Sequence, residues 1–363
     1  MFISTSFMNY TINLLKVIAT LVVATCHCWI ICNHEFGFQL QNNWQILLKT
    51  PAWGGVFMFF VLSGFLAQTS LNRYGGANPW LFYKKKILKI LLPCYVFLSL
   101  VYILIEPDSQ FDIVFIIRIL TCTFNGTHSP LHNVGATWYV FVLMWLYAIG
   151  PFLDKILNSI ENKFGENIKC NIYMLCLVVL CGFVYRVLGR FLGLEWYSHI
   201  YASVYGNLDL FIGGFLFARI KPYLKYSIRK TILFRKLSLS FLLSLLLFCC
   251  FCYYYGEENI PFLLSVYRYV TPSFYLCVVG GILLFSDNNN GRTYSSKIIN
   301  QISKYSFEFY LWHSVVFGIV AKTFVISNVL LRYSTVLLIG IIVTIYLSIL
   351  MTRMNEGINN NLK

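Results

Sequence analysis

The chain has 363 residues, of which 58% are hydrophobic, 18% aromatic and 12% charged. A soluble chain carries about 25% charged residues; at half that fraction most of the surface faces lipid, which excludes a pair of soluble domains. Lys and Arg exceed Asp and Glu by 14, but these cations cluster in short segments between apolar runs, as cytoplasmic loops do, so the charge gives no reason to expect nucleic acid.

Apolar runs of about 20 residues, the length that crosses a bilayer, lie near 10–31, 53–71, 86–105, 134–153, 172–192, 202–219, 237–255, 264–285, 304–326 and 331–353. The expected fold is therefore an all-α membrane protein of about ten transmembrane helices. One domain covers 10–353, and 354–363 form a short cytoplasmic tail. The stretch Phe111–Phe124 is too short to cross and carries Asp112 and Arg118, so a half-helix or surface helix is expected there. Cysteines such as Cys249, Cys250 and Cys252 lie inside apolar runs and read as small buried hydrophobes rather than a disulfide framework.

Alternate loops differ in charge. Twenty Lys and Arg, among them Lys84, Lys85, Lys86 and Lys89 and the group from Arg219 to Lys236, fall on one side, against seven on the other, with Lys16 inside the first span. The rule that places such cations in the cytoplasm puts both termini there, in agreement with an even number of spans.

Ionisable groups within a span cost roughly 3 kcal/mol at the bilayer centre and need a reason. Lys16 and His27 share the first span. Eleven residues at 100° each bring them within about 20° of one helix face and about 16 Å apart along the axis. That spacing forbids direct contact and suits two depths of one cavity; alternatively, Lys16 snorkels to the interface and His27 is a satisfied interior histidine. In the second span, Phe59-Phe60-Val61-Leu62-Ser63-Gly64-Phe65 breaks aromatic bulk with two small residues, which admit a close helix neighbour or line a cavity.

At the start of the third span, Lys85 and Lys89 are four residues apart and Lys86 and Lys89 three, so the cations form one patch suited to phosphates or to lipid headgroups. Asp209 stands beside Gly213 and Gly214 in the sixth span. Near the end, Glu308 and His313 lie about 140° apart and cannot share a face. His128 and His132 are separated by Pro130, a poor start for a metal site, and no metal is expected.

In order along nearly the whole chain, these segments resemble the acyltransferase-3 family of membrane O-acyltransferases. The family opens with Asp-x-x-Arg followed by Arg-x10-His, seen here as Asn13-Leu14-Leu15-Lys16 and Lys16 to His27. Phe59–Phe65 is similar to its FFxLSGF segment; Lys84–Lys89 with Pro93 stands for its Arg-rich start to span three, and Trp138-Tyr139 for its Trp-Tyr. Ser306–His313 stands for its late Ser-Tyr-x-x-Tyr-Leu-x-His. Arg is replaced by Lys at three of these positions, which keeps the charge but loses the planar fork.

The resemblance implies transfer of an acyl group, most simply acetyl, from cytoplasmic acyl-CoA to a hydroxyl of a cell-surface glycan or lipid-linked sugar, in the bacterial cytoplasmic membrane. It implies His27 and Lys16 as the catalytic pair, His27 acting as base or acyl carrier, and Lys16, Lys85, Lys86 and Lys89 as coenzyme-binding residues. Ser63, Gly64, Trp138, Tyr139, Asp209, Tyr310 and His313 would line the cavity, His313 being the rival base. A transporter or flippase for a lipid-linked sugar is the alternative, and an inactive envelope scaffold a third reading.

Overall fold

Lipid offers no partner to a backbone N–H or C=O, so a spanning segment satisfies its polar groups internally. A computed structural model of the chain describes residues 8–36, 42–74, 78–110, 112–165, 168–224, 261–285 and 294–361, and among these it contains helices and no strand. The main helices are α1 (Met8–Phe36), α2 (Asn42–Tyr74), α3 (Pro79–Lys86), α4 (Leu92–Leu104), α5 (Ile113–Leu120), α6 (Trp138–Phe164), α7 (Ile168–Phe191), α8 (Val204–Ile220), α9 (Pro261–Phe285), α10 (Tyr294–Thr323) and α11 (Val329–Asn361).

Among the described residues, seven helices are long and apolar enough to cross a membrane: Tyr10–Asn33, Trp53–Arg73, Pro79–Leu104, Gly135–Phe164, Ile168–Phe191, Trp196–Tyr223 and Leu331–Ile358. The chain is a multi-pass, all-helical membrane protein. The expected span at 264–285 falls on α9. The span expected at 304–326 is α10, which starts earlier and buries Glu308 and His313 among its apolar residues. The expected span at 237–255 lies outside the described residues.

The third span is a single rod made of α3 and α4, joined by a widened π turn over Ile87–Leu91. Pro93 has no N–H to give the carbonyl of Lys89, and a π turn absorbs such a defect without a break. Asn78 caps α3 by accepting the Trp80 N–H at 3.0 Å. The surface helix expected within Phe111–Phe124 is α5, capped by Asp112, which accepts the Phe115 N–H. It buries Phe115 and turns Ile113, Val114, Ile117 and Leu120 outward.

Contacts fix the directions. Tyr139 meets Phe60 and Ser63 while Gln68 bonds Asp154, so α6 runs parallel to α2. Tyr201 meets Phe57 and Arg219 bonds Gln68, so α8 does too. Gly213 faces Leu276 and Phe217 faces Gly280, so α9 runs the same way as α8. Asn13 bonds Asn300 and His27 bonds His313, so α1 and α10 are parallel.

α2 and α8 cross where glycine permits it. A Cβ on Gly64 would land on the Phe211 carbonyl, and one on Gly214 on the Val61 carbonyl. Two buried cations then tie the helices together. Arg186 of α7, with 0% exposure, grips Asp209 of α8 in a two-pronged pair at 3.0 and 2.7 Å and reaches Ser273 of α9 at 2.6 Å. Arg219 of α8 meets Asp154 and Glu161 of α6 at 2.7 Å each and Gln68 of α2 at 2.9 Å.

Removing one partner of a buried pair strands the other charge, at a cost of about 3–5 kcal/mol, whereas replacing both by apolar groups is nearly neutral. Arg186→Ala is therefore expected to lower the melting temperature in detergent sharply, and the double variant Arg186→Met, Asp209→Leu to recover most of the loss. A single variant that melts with the wild type would remove this pair from the structural account.

Candidate functional site

His27 projects from α1 onto α10. Its Nδ1 lies 2.7 Å from His313 Nε2 and 3.1 Å from Ser314 Oγ, and Ser314 Oγ is also 3.1 Å from His313 Nε2. The rings are within 8° of parallel, with centroids 4.9 Å apart. An N···N distance of 2.7 Å is far inside ring-stacking range, so the rings meet edge to edge, in the plane where a lone pair and an N–H point at one another.

The proton positions follow from one carbonyl. His313 Nδ1 is 2.6 Å from the Tyr310 carbonyl oxygen, which can only accept, so His313 Nδ1 carries the proton and donates. In a neutral ring, Nε2 is then the acceptor. His27 Nδ1 must donate to it, which leaves the lone pair of His27 on Nε2, the nitrogen not engaged by His313. His313 is 1% exposed and His27 is half-buried. The arrangement is a proton acceptor oriented by a fully buried second imidazole.

Tyr310 links this pair to an aromatic wall. Its hydroxyl donates to the Ala136 carbonyl at 2.8 Å, and its ring lies 5.5 Å from Tyr139 and 5.9 Å from Phe59. Tyr139 and Ser63 share a hydrogen bond of 3.2 Å, and Trp138 packs against Phe60 and Tyr201. Of the residues singled out from sequence, His27, His313, Tyr310, Tyr139, Ser63 and Trp138 thus belong to one connected cluster. Gly64 stands instead in the α2–α8 crossing, and Asp209 is committed to Arg186.

Toward the other end of α1, Lys16 lies within electrostatic reach of Lys86 and Lys89. Lys86 Nζ sits 4.1 Å from the Tyr147 ring centroid and 5.3 Å from that of Phe82, held by cation–π attraction. No carboxylate comes within ion-pair distance of Lys16, Lys86 or Lys89 among the described residues. Like charges gathered without an acid repel one another, and such a grouping can receive an anionic group. Lys85 follows on the same helix, partly exposed. His132 is 72% exposed and faces Glu106 at 3.1 Å.

A family model described as an acyltransferase domain matches residues 9–353, nearly the whole chain. The chain belongs to the acyltransferase-3 family. Comparison with curated proteins and with solved structures gave no match. As a membrane acyltransferase, it must bring an activated acyl donor and an acceptor together.

Ser314 and the partnership of the two histidines were not apparent from sequence. The only sequence signal was that His313 ends the late motif, with Ser314 the residue that follows it. Because Tyr310 fixes both the His313 tautomer and the Ala136 segment, Tyr310→Phe tests the wall separately from the pair. It keeps the Tyr310 carbonyl and loses one hydrogen bond, worth about 1 kcal/mol. The expected result is a slightly lower melting point with faster protease cleavage within 121–137; unchanged cleavage would mean that the hydroxyl does not hold that segment.

Proposed function

We propose that this acyltransferase moves an acetyl group from cytoplasmic acetyl-CoA to a hydroxyl of a cell-surface glycan or lipid-linked sugar, with His27 as general base. It acts in the bacterial cytoplasmic membrane as one domain over 10–353, crossing about ten times with both termini and the 354–363 tail in the cytoplasm. The parallel courses of α1 and α10 and of α8 and α9 support this topology, since ten alternating spans require the first and ninth, and the sixth and eighth, to share a direction.

The observation that carries the chemistry is that one helix holds a cation cluster near Lys16 and an oriented imidazole at His27, about 16 Å further along its axis. The phosphates of the donor rest on Lys16, Lys85, Lys86 and Lys89, and the pantetheine arm follows α1 toward His27. Ser63, Trp138, Tyr139 and Tyr310 form the wall against which the acceptor is held.

A sugar hydroxyl is a weak nucleophile at neutral pH. As its oxygen attacks the thioester carbonyl, His27 Nε2 takes its proton. The resulting imidazolium is stabilised through Nδ1–H, which points at the His313 lone pair, and the Tyr310 carbonyl holds the far end of the relay. Collapse of the tetrahedral adduct breaks the C–S bond. The departing thiolate takes the proton back from Nε2, so ester and free CoA-SH leave and the enzyme is restored. His313 acts here as a positioning residue.

His27→Ala is expected to lower kcat by about 10²–10⁴-fold in a protein that still inserts and folds; retained transfer would remove His27 from catalysis. His313→Gln, whose amide oxygen accepts from His27 and whose NH2 donates to the Tyr310 carbonyl, should keep far more activity than His313→Ala, with KM unchanged in both. Equal loss in the two would mean that His313 does not orient the base.

Lys16→Ala should raise the KM for acetyl-CoA while Lys16→Arg is tolerated, because only charge is required. Identical KM values in all three proteins would take Lys16 out of the donor site. Radiolabel from acetyl-CoA reaching a glycan acceptor in proteoliposomes separates this reading from a flippase, which would move the sugar unlabelled.

A further inference from the structure

The third span and the short helix that leans on it enclose a cavity of about 380 Å³. Leu98 of α4, Phe115 of α5 and Leu131 form its floor and are buried, while Ile103, Ile116 and Leu120 form its rim and are exposed. The lining is apolar apart from hydroxyl groups, and that of Tyr95 is spent on the Ile119 carbonyl at 3.2 Å. A cavity of about 150 Å³ accepts the six carbons of benzene, so this groove has room for a single hydrocarbon chain of on the order of a dozen carbons.

The groove faces the bilayer. Trp145 stands seven residues, about 10 Å, inside α6. Its indole N–H donates to the Cys122 carbonyl at 3.1 Å, so the C-terminal end of α5 is sunk to that depth. Tyr95 to Ile103 lie within about 14 Å of Leu104, where the third span ends. An apolar void open to lipid loses dispersion contacts on one side until a chain enters it. Lipid tails are as apolar as the groove, so entry brings no hydrophobic gain, and selection among chains rests on shape and charge.

Shape and charge both favour the lipid carrier of an acceptor over bulk phospholipid. A phospholipid brings two chains to a groove with room for one, whereas an isoprenoid carrier brings one. Arg118 is the one charged residue within α5, and at 100° per residue it lies about 60° from Phe115, at the edge of the lining face. No carboxylate is within ion-pair distance of it among the described residues, and the nearby Glu106 and Asp112 accept from the His132 and Phe115 N–H groups. A cation set in an apolar helix calls for an anion, and a carrier phosphate supplies one. The groove also adjoins the histidine pair. Phe97, next to Leu98, meets Trp312 edge to face at 4.9 Å, beside His313, and Leu131 leads into the segment whose Ala136 carbonyl accepts from Tyr310. His27 is six residues, about 9 Å, from the end of the first span at Asn33. The groove shares that depth in the proposed topology, where the first and third spans end on one side. Resting on the acceptor reading above, we propose that the groove between α4 and α5 holds the isoprenoid chain of a lipid-linked sugar, with Arg118 on its phosphate and the sugar carried toward His27 from the membrane.

The test uses the purified full-length protein in vesicles of phosphatidylethanolamine and phosphatidylglycerol, with a photoreactive farnesyl phosphate as the probe. Its label is expected within 95–103, within 113–120 or at Leu131, and to be displaced by unlabelled farnesyl phosphate. Farnesol should displace it about tenfold less well, the worth of one charge-assisted hydrogen bond, and Arg118→Gln should erase that difference. Ser99→Trp, which sets an indole into the groove from α4, should lower the label about tenfold at an unchanged melting temperature. Label scattered over the lipid-facing helices, or groove label that farnesyl phosphate does not displace, would mean bulk lipid only and overturn the proposal. Equal displacement by farnesol in the wild type would also overturn it, as would a difference that survives in Arg118→Gln. The wild-type outcomes decide even if Ser99→Trp fails to fold. No acetyl-CoA is present, so these results leave the donor and His27 untouched. Specific groove label in a protein that passes no acetyl group to any glycan would overturn the acceptor reading, and with it this role for the chain.

Discussion

A single in-plane hydrogen bond, from His27 Nδ1 to His313 Nε2 at 2.7 Å, sets the conditions for the rest of the site. It fixes the tautomer of His27, and with it the nitrogen that keeps the lone pair. It also fixes how α1 is docked. With Asn13 bonded to Asn300 at 2.9 Å, α1 and α10 are pinned at two levels. The intervals of 14 and 13 residues correspond to about 21 and 20 Å of rise, so two parallel helices can satisfy both contacts at once without bending. A slip of one residue would rotate α1 by about 100° and lose both bonds together with the approach of Lys16 to α3.

The remaining helices supply the rigidity on which this register depends. Lipid gives little hydrophobic drive between helices, so close approach and buried polar bonds carry the association. Gly64 and Gly214 let α2 and α8 touch through their backbones, and Arg186 and Arg219 lock α8 to α7, α9, α6 and α2. α8 is consequently buried along most of its length, while α7 and α11 turn Leu177, Leu180, Leu338 and Ile342 outward. The cluster around Tyr139 and Tyr310 is thus built against a core that cannot readily shear.

Much of the architecture could be read from hydropathy, because a run of 20 apolar residues has few other uses, and the short helix at Ile113–Leu120 was recognisable by its length and its charges. α10 was harder to delimit. Its polar residues are spent inside the protein, on Asn355 and His27, so composition understates how deeply it is buried. The face shared by Lys16 and His27 followed from helical periodicity, but the partner of His27 did not. Periodicity says which way a side chain points on its own helix and is silent on which helix stands opposite. Asp209 illustrates the same limit: its buried position was visible, but its cation, Arg186, sits in an apolar run that sequence reading passed over.

The two sets of cations in the protein are partnered in opposite ways. Arg186 and Arg219 are each matched by carboxylates at 2.7 Å, in forked geometries that arginine favours. Lys16, Lys86 and Lys89 are brought near one another with no acid in ion-pair distance among the described residues. Mutual repulsion gives that grouping no stabilising role of its own. Lysine also suits a site whose charge must be offered and withdrawn, since a flexible ammonium holds phosphate as a point charge and releases it without breaking a bidentate clamp. The arginines therefore belong to the frame, whereas the lysines are drawn together without an acid among the described residues to hold them there.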